Sequence, residues 1–221
     1  LYGQLLTSDV EINVEILPDY DEGDKYGAID GQVYVSVDDA TEFNDAFVDN
    51  NVDIIILNND VVVEGPLTRA SADPTLTVSS GKVLTIDLNG KTLNAVSAET
   101  GKNYNLFDVR GTLTVKNGTV EIEHVGTNMG WGSSTNVFNV TAGGVLNIAD
   151  AEISNLGGSD MAFVAHLNNW GEVTLNVENS VLTSTYVAVR VFNSGNDMNN
   201  VTIKRTTLKG ANHAFWVHNY T

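Results

Sequence analysis

From Leu84 onward one short pattern recurs, and that recurrence restricts the fold more than any other feature of the chain. An apolar residue is followed two positions on by another, then by Asn, Asp or another turn residue, then three further on by a fourth, apolar position. The copies are Leu113, Val115, Asn117, Val120, then Leu146, Ile148, Asp150, Ile153, then Leu175, Val177, Asn179, Leu182. Val201, Ile203, Arg205, Leu208 is a looser copy, and Leu84, Ile86, Asn89, Leu93 is an earlier one with two residues inserted. Between them lies a second recurring strand: Phe107-Asp108-Val109, Phe138-Asn139-Val140, Phe163-Val164-Ala165, Val189-Arg190-Val191 and Phe215-Trp216-Val217. Ala162, Ala188 and Ala214 fall 26 residues apart, which is read as a structural period.

Period-two alternation inside each run indicates strands with one buried face, and the turn residues are too close together for helices to intervene. A strand pair this short cannot bury its apolar face alone. Coiling the chain so that each copy lies about 4.8 Å above the last gives one shared core. The predicted fold is all-β, a right-handed parallel β-helix. A sandwich or an antiparallel barrel would show paired hairpin signals instead.

Stacking turns equivalent positions into neighbours. The outward column Thr85, Thr114, Asn147, Asn176, Thr202 is expected to form a ladder of small polar side chains. Beside it, Asp87, Lys116, Ala149, Glu178, Lys204 juxtaposes opposite charges twice. Asn117, Asp150 and Asn179 stack at a corner, where Asn and Asp tolerate left-handed backbone. Gly143-Gly144 and Gly157-Gly158 are placed at coil corners by the same logic.

The first 35 residues differ, with alternating runs at Val10 to Leu17 and Val33 to Val37 around an acidic loop of Asp19, Asp21, Glu22 and Asp24. They are taken as one unit, with the β-helix spanning 36–221. Asp39 with Glu42 reads as a capping box, and Ala40, Phe43 and Phe47 share a helical face. A short helix over about 39–50 is therefore expected to close the N-terminal end of the solenoid, with Ile54 to Leu57 and Val61 to Val63 forming the first coil. The chain starts at Leu1 and Ala214 to Thr221 reads as an unfinished strand, as in a trimmed piece of a longer protein.

Composition sets further bounds. With 28 acidic and 11 basic residues the net charge is -17, which repels nucleic acid and anionic membrane surfaces. No apolar run reaches the length of a membrane span. There is no cysteine, so disulfides and thiolate metal sites are excluded.

The segment Gly81-Lys82-Val83-Leu84-Thr85-Ile86-Asp87-Leu88-Asn89-Gly90-Lys91-Thr92-Leu93, followed by Gly111-Thr112-Leu113-Thr114-Val115-Lys116-Asn117-Gly118, resembles the adhesin-like β-helix proteins of the pectin-lyase-like superfamily on bacterial surfaces. The likeness covers roughly 36–221. It implies a β-helix fold and an extracellular or cell-surface location. The hydrolases' Asn-Thr-Asp, paired Asp and Gly-His-Gly segments have no equivalent, and Ile203-Lys204-Arg205 only echoes a basic catalytic strand. No catalytic residue is carried over.

Glu121 and Glu123, two apart on a strand, project outward at roughly 7 Å, near the separation inverting glycosidases use, but in so acidic a chain such pairs are common and a solvated strand face is the preferred reading. The acidic loop could chelate calcium but lacks EF-hand spacing. His124, His166, His213 and His218 show no ligand pair, so neither metal nor cofactor is called. A 26-residue period instead sets His166, Phe192 and His218 in one outward column and Val164, Arg190 and Trp216 in the next. Trp131 and Trp170 lie in adjoining loops. Trp131, His166, Trp170, Arg190, Phe192, Trp216 and His218 are the candidate binding residues, suited to a glycan or a host-surface ligand. The function expected is non-catalytic adhesion or glycan binding. The alternatives are a polysaccharide lyase or glycoside hydrolase, and a phage tail-fibre or spike segment.

Overall fold

The computed structural model describes residues 25–64, 76–97, 104–124, 134–141, 143–157, 161–168, 172–193 and 199–219. These form a parallel β-helix capped by one helix.

A hairpin comes first: β1 (Tyr26–Ile29) runs antiparallel to β2 (Gln32–Val37), turning at Asp30 and Gly31, both at positive φ. Helix α1 (Ala40–Val48) follows, with Asp39 as its N-cap. Asp39 Oδ1 accepts from the backbone N–H groups of Thr41 and Glu42 at 2.9 and 3.0 Å. Glu42 returns a carboxylate oxygen to the N–H of Asp38 at 3.0 Å, so the expected capping box is shifted outward by one residue. Phe43, Ala46 and Phe47 face the solenoid and are buried. At the other end, the Lys82 ammonium donates to the carbonyls of Phe47 and Asp49 at 2.6 and 3.1 Å, satisfying groups a helix C-terminus leaves open. Burial depresses the Lys82 pKa, and nearby Asp49 opposes that shift.

Each coil then contributes two strands to a first sheet and one to a second. The first is β3 (Ile54–Leu57), β4 (Val61–Glu64) and β5 (Leu76–Val78). Next come β6 (Val83–Asp87), β7 (Thr92–Ser97) and β8 (Tyr104–Val109). In the following two coils the first-sheet pair is fused: β9 (Thr112–His124) precedes β10 (Thr135–Val140), and β11 (Val145–Asn155) precedes β12 (Ala162–Asn168). Then β13 (Thr174–Glu178), β14 (Val181–Ser184) and β15 (Val187–Asn193) lead to β16 (Asn200–Lys204), β17 (Thr207–Gly210) and β18 (His213–Asn219). The first sheet stacks β2-β3-β6-β9-β11-β13-β16 in parallel, with β4-β7-β9 and β11-β14-β17 alongside. The second sheet stacks β5-β8-β10-β12-β15-β18.

In the first sheet the predicted columns hold. Leu84, Leu113, Leu146, Leu175 and Val201 are in register, and the four leucines are fully buried. The outward ladder is hydrogen-bonded in part: Asn147 donates to Thr114 Oγ1 at 3.2 Å and Asn176 to Asn147 Oδ1 at 2.9 Å. Lys116 pairs with Asp87 at 3.2 Å. The second expected charge pair differs, because Glu178 accepts from Arg205 at the corner rather than from its register partner Lys204. That corner is made by Asn89, Asn117, Asp150, Asn179 and Arg205, all at φ between 47° and 61°. A single left-handed residue redirects each later coil, whereas the earliest corner uses two, Asn89 and Gly90, and is two residues longer. Gly118 follows the corner where a Cβ would come within 2.6 Å of Leu88 Cβ and of the Lys91 carbonyl oxygen, so only glycine fits.

The second sheet departs from the predicted register. Phe107 pairs with Phe138, as expected, and their rings stack at 5.4 Å. Phe138 then pairs with Ala165, and Ala165 with Val189, so Phe163 is not in the phenylalanine column. Phe163 pairs with Asn136 and Val187. The cause lies in turn length: the register partners of Asn155 and Phe163 are Ser184 and Val187, so three steps of chain replace eight. The spacing across this pair is therefore 24 residues, as Ala165 to Val189 shows, and the 26-residue spacing of Ala162 and Ala188 does not mark equivalent positions.

The ladders from β8 to β18 also pass over one position on each strand without pairing it: Leu106, Val137, Val164, Ala188 and Ala214. The strand bends there, so alternation is interrupted and two consecutive residues turn inward. On the Asn155 side of the bend the turn is held by polar side chains. Buried Asn155 donates to the carbonyls of Thr135 and Phe163, both at 2.9 Å, and accepts from the Gly157 N–H. Its register partner Ser184 donates to the Ala162 carbonyl at 2.8 Å.

Candidate functional site

The corrected register redistributes the predicted binding residues while keeping them on the same face. His166, Arg190 and Trp216 form one outward column, and Asn168, Phe192 and His218 form the next. The pairing expected from a 26-residue period, His166 with Phe192 and Val164 with Arg190, is displaced by two residues. A slip of two preserves which side of the sheet a side chain occupies, so the face survives the error.

Arg190 is the centre. The residue is only 8% exposed, and its guanidinium carbon lies 5.2 Å from the Phe163 ring centroid, 4.9 Å from Phe192 and 4.9 Å from Trp216. Three aromatic side chains thus surround one cation at distances where the ring quadrupole attracts it. Arg190 Nη2 also lies 3.2 Å from His218 Nδ1. The guanidinium can only donate, so His218 Nδ1 accepts, which puts the proton of neutral His218 on Nε2.

Around this cage the rings continue. Trp216 lies 5.9 Å from His213 and 5.1 Å from His218, with interplanar angles of 18° and 16°. Tyr186 meets Phe163 and Trp216 edge-on, at 5.9 and 6.4 Å. His166 lies 5.2 Å from Phe163. Strands β12, β15 and β18 supply all of these side chains except Tyr186, which stands in the turn before β15. Further along the same column the character changes: Asn139 donates to Asp108 at 2.6 Å, and Arg110 clamps Asp108 at 2.9 and 2.7 Å.

His166, Arg190, Phe192, Trp216 and His218 are brought together as expected. Trp131 and Trp170 lie outside the described residues, as does the acidic loop of Asp19 to Asp24. Phe163, Tyr186 and His213 were missed as members of the cluster. Phe163 joins the cluster because the chain takes eight steps from Asn155 to Phe163 against three from Ser184 to Val187, a difference that the repeat spacing does not show. His213 was passed over because the strand bend at Ala214 hides its alternation with Trp216.

Elsewhere on the described surface a shallow trough of about 430 Å³ follows the corner, bordered by Gly118, Asp150, Glu152 and Asn179. Glu121 and Glu123 lie on β9 beside Asn94 and Val96 of β7, with Ser154 on the other flank of Glu121. No arginine or lysine stands opposite either in register. Among the described residues, no three His, Cys, Asp or Glu are grouped so as to hold a metal ion.

Comparison with protein families, curated proteins and solved structures finds no match to this chain.

Proposed function

We propose that this chain is part of a non-catalytic, extracellular or cell-surface β-helix, adhesin-like and of the pectin-lyase-like architecture, whose second sheet contacts a glycan or a host-surface ligand. The carrying observation is the convergence of Arg190, Phe192, His213, Trp216 and His218 on one outward face of a rigid stack. Aromatic rings with polar nitrogens at their edges offer both the apolar contact and the hydrogen bonds that a sugar ring uses. His213 is exposed, and Phe192, Trp216 and His218 are half-buried, so the outer side of the cluster is within reach of solvent. The acids of the repeat support a structural rather than a chemical role. Asp87 holds Lys116 and Asn117, Asp108 holds Arg110 and Asn139, and Glu178 holds Arg205.

Binding of the whole chain to an immobilised glycan array tests this reading. A glycan should be retained, and Trp216→Ala should weaken it about tenfold, equivalent to about 1.4 kcal/mol at one interface aromatic. A retained glycan whose affinity ignores Trp216→Ala would remove this face from the proposal. Release of new reducing ends or unsaturated products from polysaccharide would overturn its non-catalytic part.

A further inference from the structure

The two ends of the solenoid are finished differently. At one end α1 lays Phe43, Ala46 and Phe47 over the core. At the other, the last described coil of β16, β17 and β18 leaves the same inward columns open. Val201, Ile203 and Leu208 are half-buried where their register neighbours Leu175, Val177 and Leu182 are buried. Phe215 and Val217 are 37% and 53% exposed, against 0% and 7% for Val189 and Val191 beneath them. Among the described residues no strand pairs with the far edge of this coil, so backbone N–H and C=O groups face outward beside the apolar rows. A strand added there must alternate, with apolar residues over Val201 and Ile203 and polar ones beside Thr202 and Lys204. Charge adds a second condition. Residues 199–219 carry Lys204, Arg205 and Lys209 and no aspartate or glutamate, in a chain of net charge -17, and Glu178, the register partner of Lys204, is held by Arg205. The edge therefore suits an acidic strand.

A segment of this chain, outside the described residues, meets both conditions in sequence: Val10-Glu11-Ile12-Asn13-Val14-Glu15-Ile16-Leu17. Set parallel to β16 with Ile12 over Val201 and Val14 over Ile203, it brings Asn13 beside Thr202 and Glu15 beside Lys204. Asn13 then extends the amide ladder of Asn147 and Asn176. Reach decides which copy supplies it. The first sheet runs β1-β2-β3-β6-β9-β11-β13-β16, so at the usual strand spacing a strand beyond β16 lies about 38 Å from β1. The chain from Lys25 back to Leu17, fully extended, spans only about 29 Å. The segment falls short of its own chain's edge. We infer that Val10–Leu17 of one copy docks on the open edge of the next, adding a parallel strand to β16 and joining copies head to tail. Donor and acceptor surfaces differ, so the contact is heterologous and association continues past the dimer.

Sedimentation velocity of the full chain tests this with no glycan present, so its outcome is independent of the proposed binding face. The parent should associate as its concentration rises, and added salt should weaken that association. Val14→Asp, which leaves the described coils untouched, should sediment as a monomer. Ile203→Asp, which spoils the edge and keeps the segment, should do the same. Mixed, the two variants should form a one-to-one dimer and nothing larger, because one supplies the intact segment and the other the intact edge. A synthetic peptide of residues 10–17 should bind Val14→Asp, a measurement that holds even where Ile203→Asp disturbs folding. A parent that stays monomeric at every concentration, a Val14→Asp chain that associates as the parent does, or a peptide that Val14→Asp does not bind overturns the inference.

Discussion

The two sheets of each coil stack by different rules. In the first, one left-handed residue turns the chain at Asn117, Asp150, Asn179 and Arg205, and the Asn89-Gly90 pair absorbs two extra residues at the earliest corner, so like falls on like, as in the column Leu84, Leu113, Leu146, Leu175. In the second, the turns vary and unlike residues meet: Phe138 lies between Phe107 and Ala165. The first sheet thus behaves as a lattice, whereas the second is a set of individually fitted contacts. The proposed binding face sits on the fitted sheet, where a side chain can change without a repeating column constraining it.

The largest effect is expected where fitting is tightest. Phe138→Ala should cost about 3–5 kcal/mol in urea-induced unfolding, because Ala165 on one side is too small to fill the space and Phe107 on the other is locked against Phe47 at 5.9 Å. A loss below about 1 kcal/mol would mean that the second sheet packs loosely and that the contrast between the sheets is false. Next comes Arg190→Met, which keeps much of the volume and removes the charge. Losing one desolvated cation shared by three rings should cost about 2 kcal/mol. A change near zero would show that shape alone holds Phe163, Phe192 and Trp216 together.

These contrasts explain what the sequence reveals. The first-sheet columns, the corner residues and the capping helix were all legible, because fixed offsets survive wherever turn length is constant. Asn117, Asp150 and Asn179 announce the corner by residue type, since a short amide or carboxylate tolerates positive φ. Arg205, in the same conformation at φ 47°, does not announce it. The second sheet was legible only in face, not in register. Gly157 marks a turn without stating its length, and the five residues lost between the Asn155 and Ser184 turns are invisible until the strands are paired. The cage around Arg190 was equally hidden, since it depends on Phe163 turning outward at a bend that no local pattern reports.

A corner substitution sharpens the lattice half of the comparison at smaller cost. Asp150 is exposed at φ 52° and lies between Asn117 and Asn179 in the corner column. Asp150→Gly should leave stability within about 0.5 kcal/mol of the parent, whereas Asp150→Val should lose about 1–2 kcal/mol, because a β-branched side chain is strained in left-handed backbone. Equal costs for the two in thermal unfolding would mean that the corner is held by side-chain contacts rather than by conformation.

The smallest effect belongs to the cap, which depends on neither sheet's register. The Lys25 ammonium contacts the Glu42 carboxylate at the start of α1, with Asp38 3.8 Å from the same ammonium. The hydrogen bond from Lys25, then that from the Asp38 N–H, holds the Glu42 pKa below the usual carboxylate value, while the same contact raises that of Lys25. A depressed carboxyl pKa means that the folded state binds its proton less readily than the unfolded chain does. Glu42 therefore stabilises the cap above the unfolded carboxylate range, and that stabilisation is lost as pH falls through its folded value. Lys25 mirrors it, contributing below the unfolded lysine value and losing its contribution as pH rises through the raised folded one. Both groups are solvent-exposed, so salt should shrink the effect. In urea titrations at low ionic strength, Glu42→Gln should lower the midpoint slightly at pH 7 and leave it unchanged once pH has fallen far enough to protonate Glu42 in the parent. A midpoint difference that stays constant through acid would assign the role of Glu42 to packing on α1 rather than to charge, and would make the cap another fitted contact like those of the second sheet.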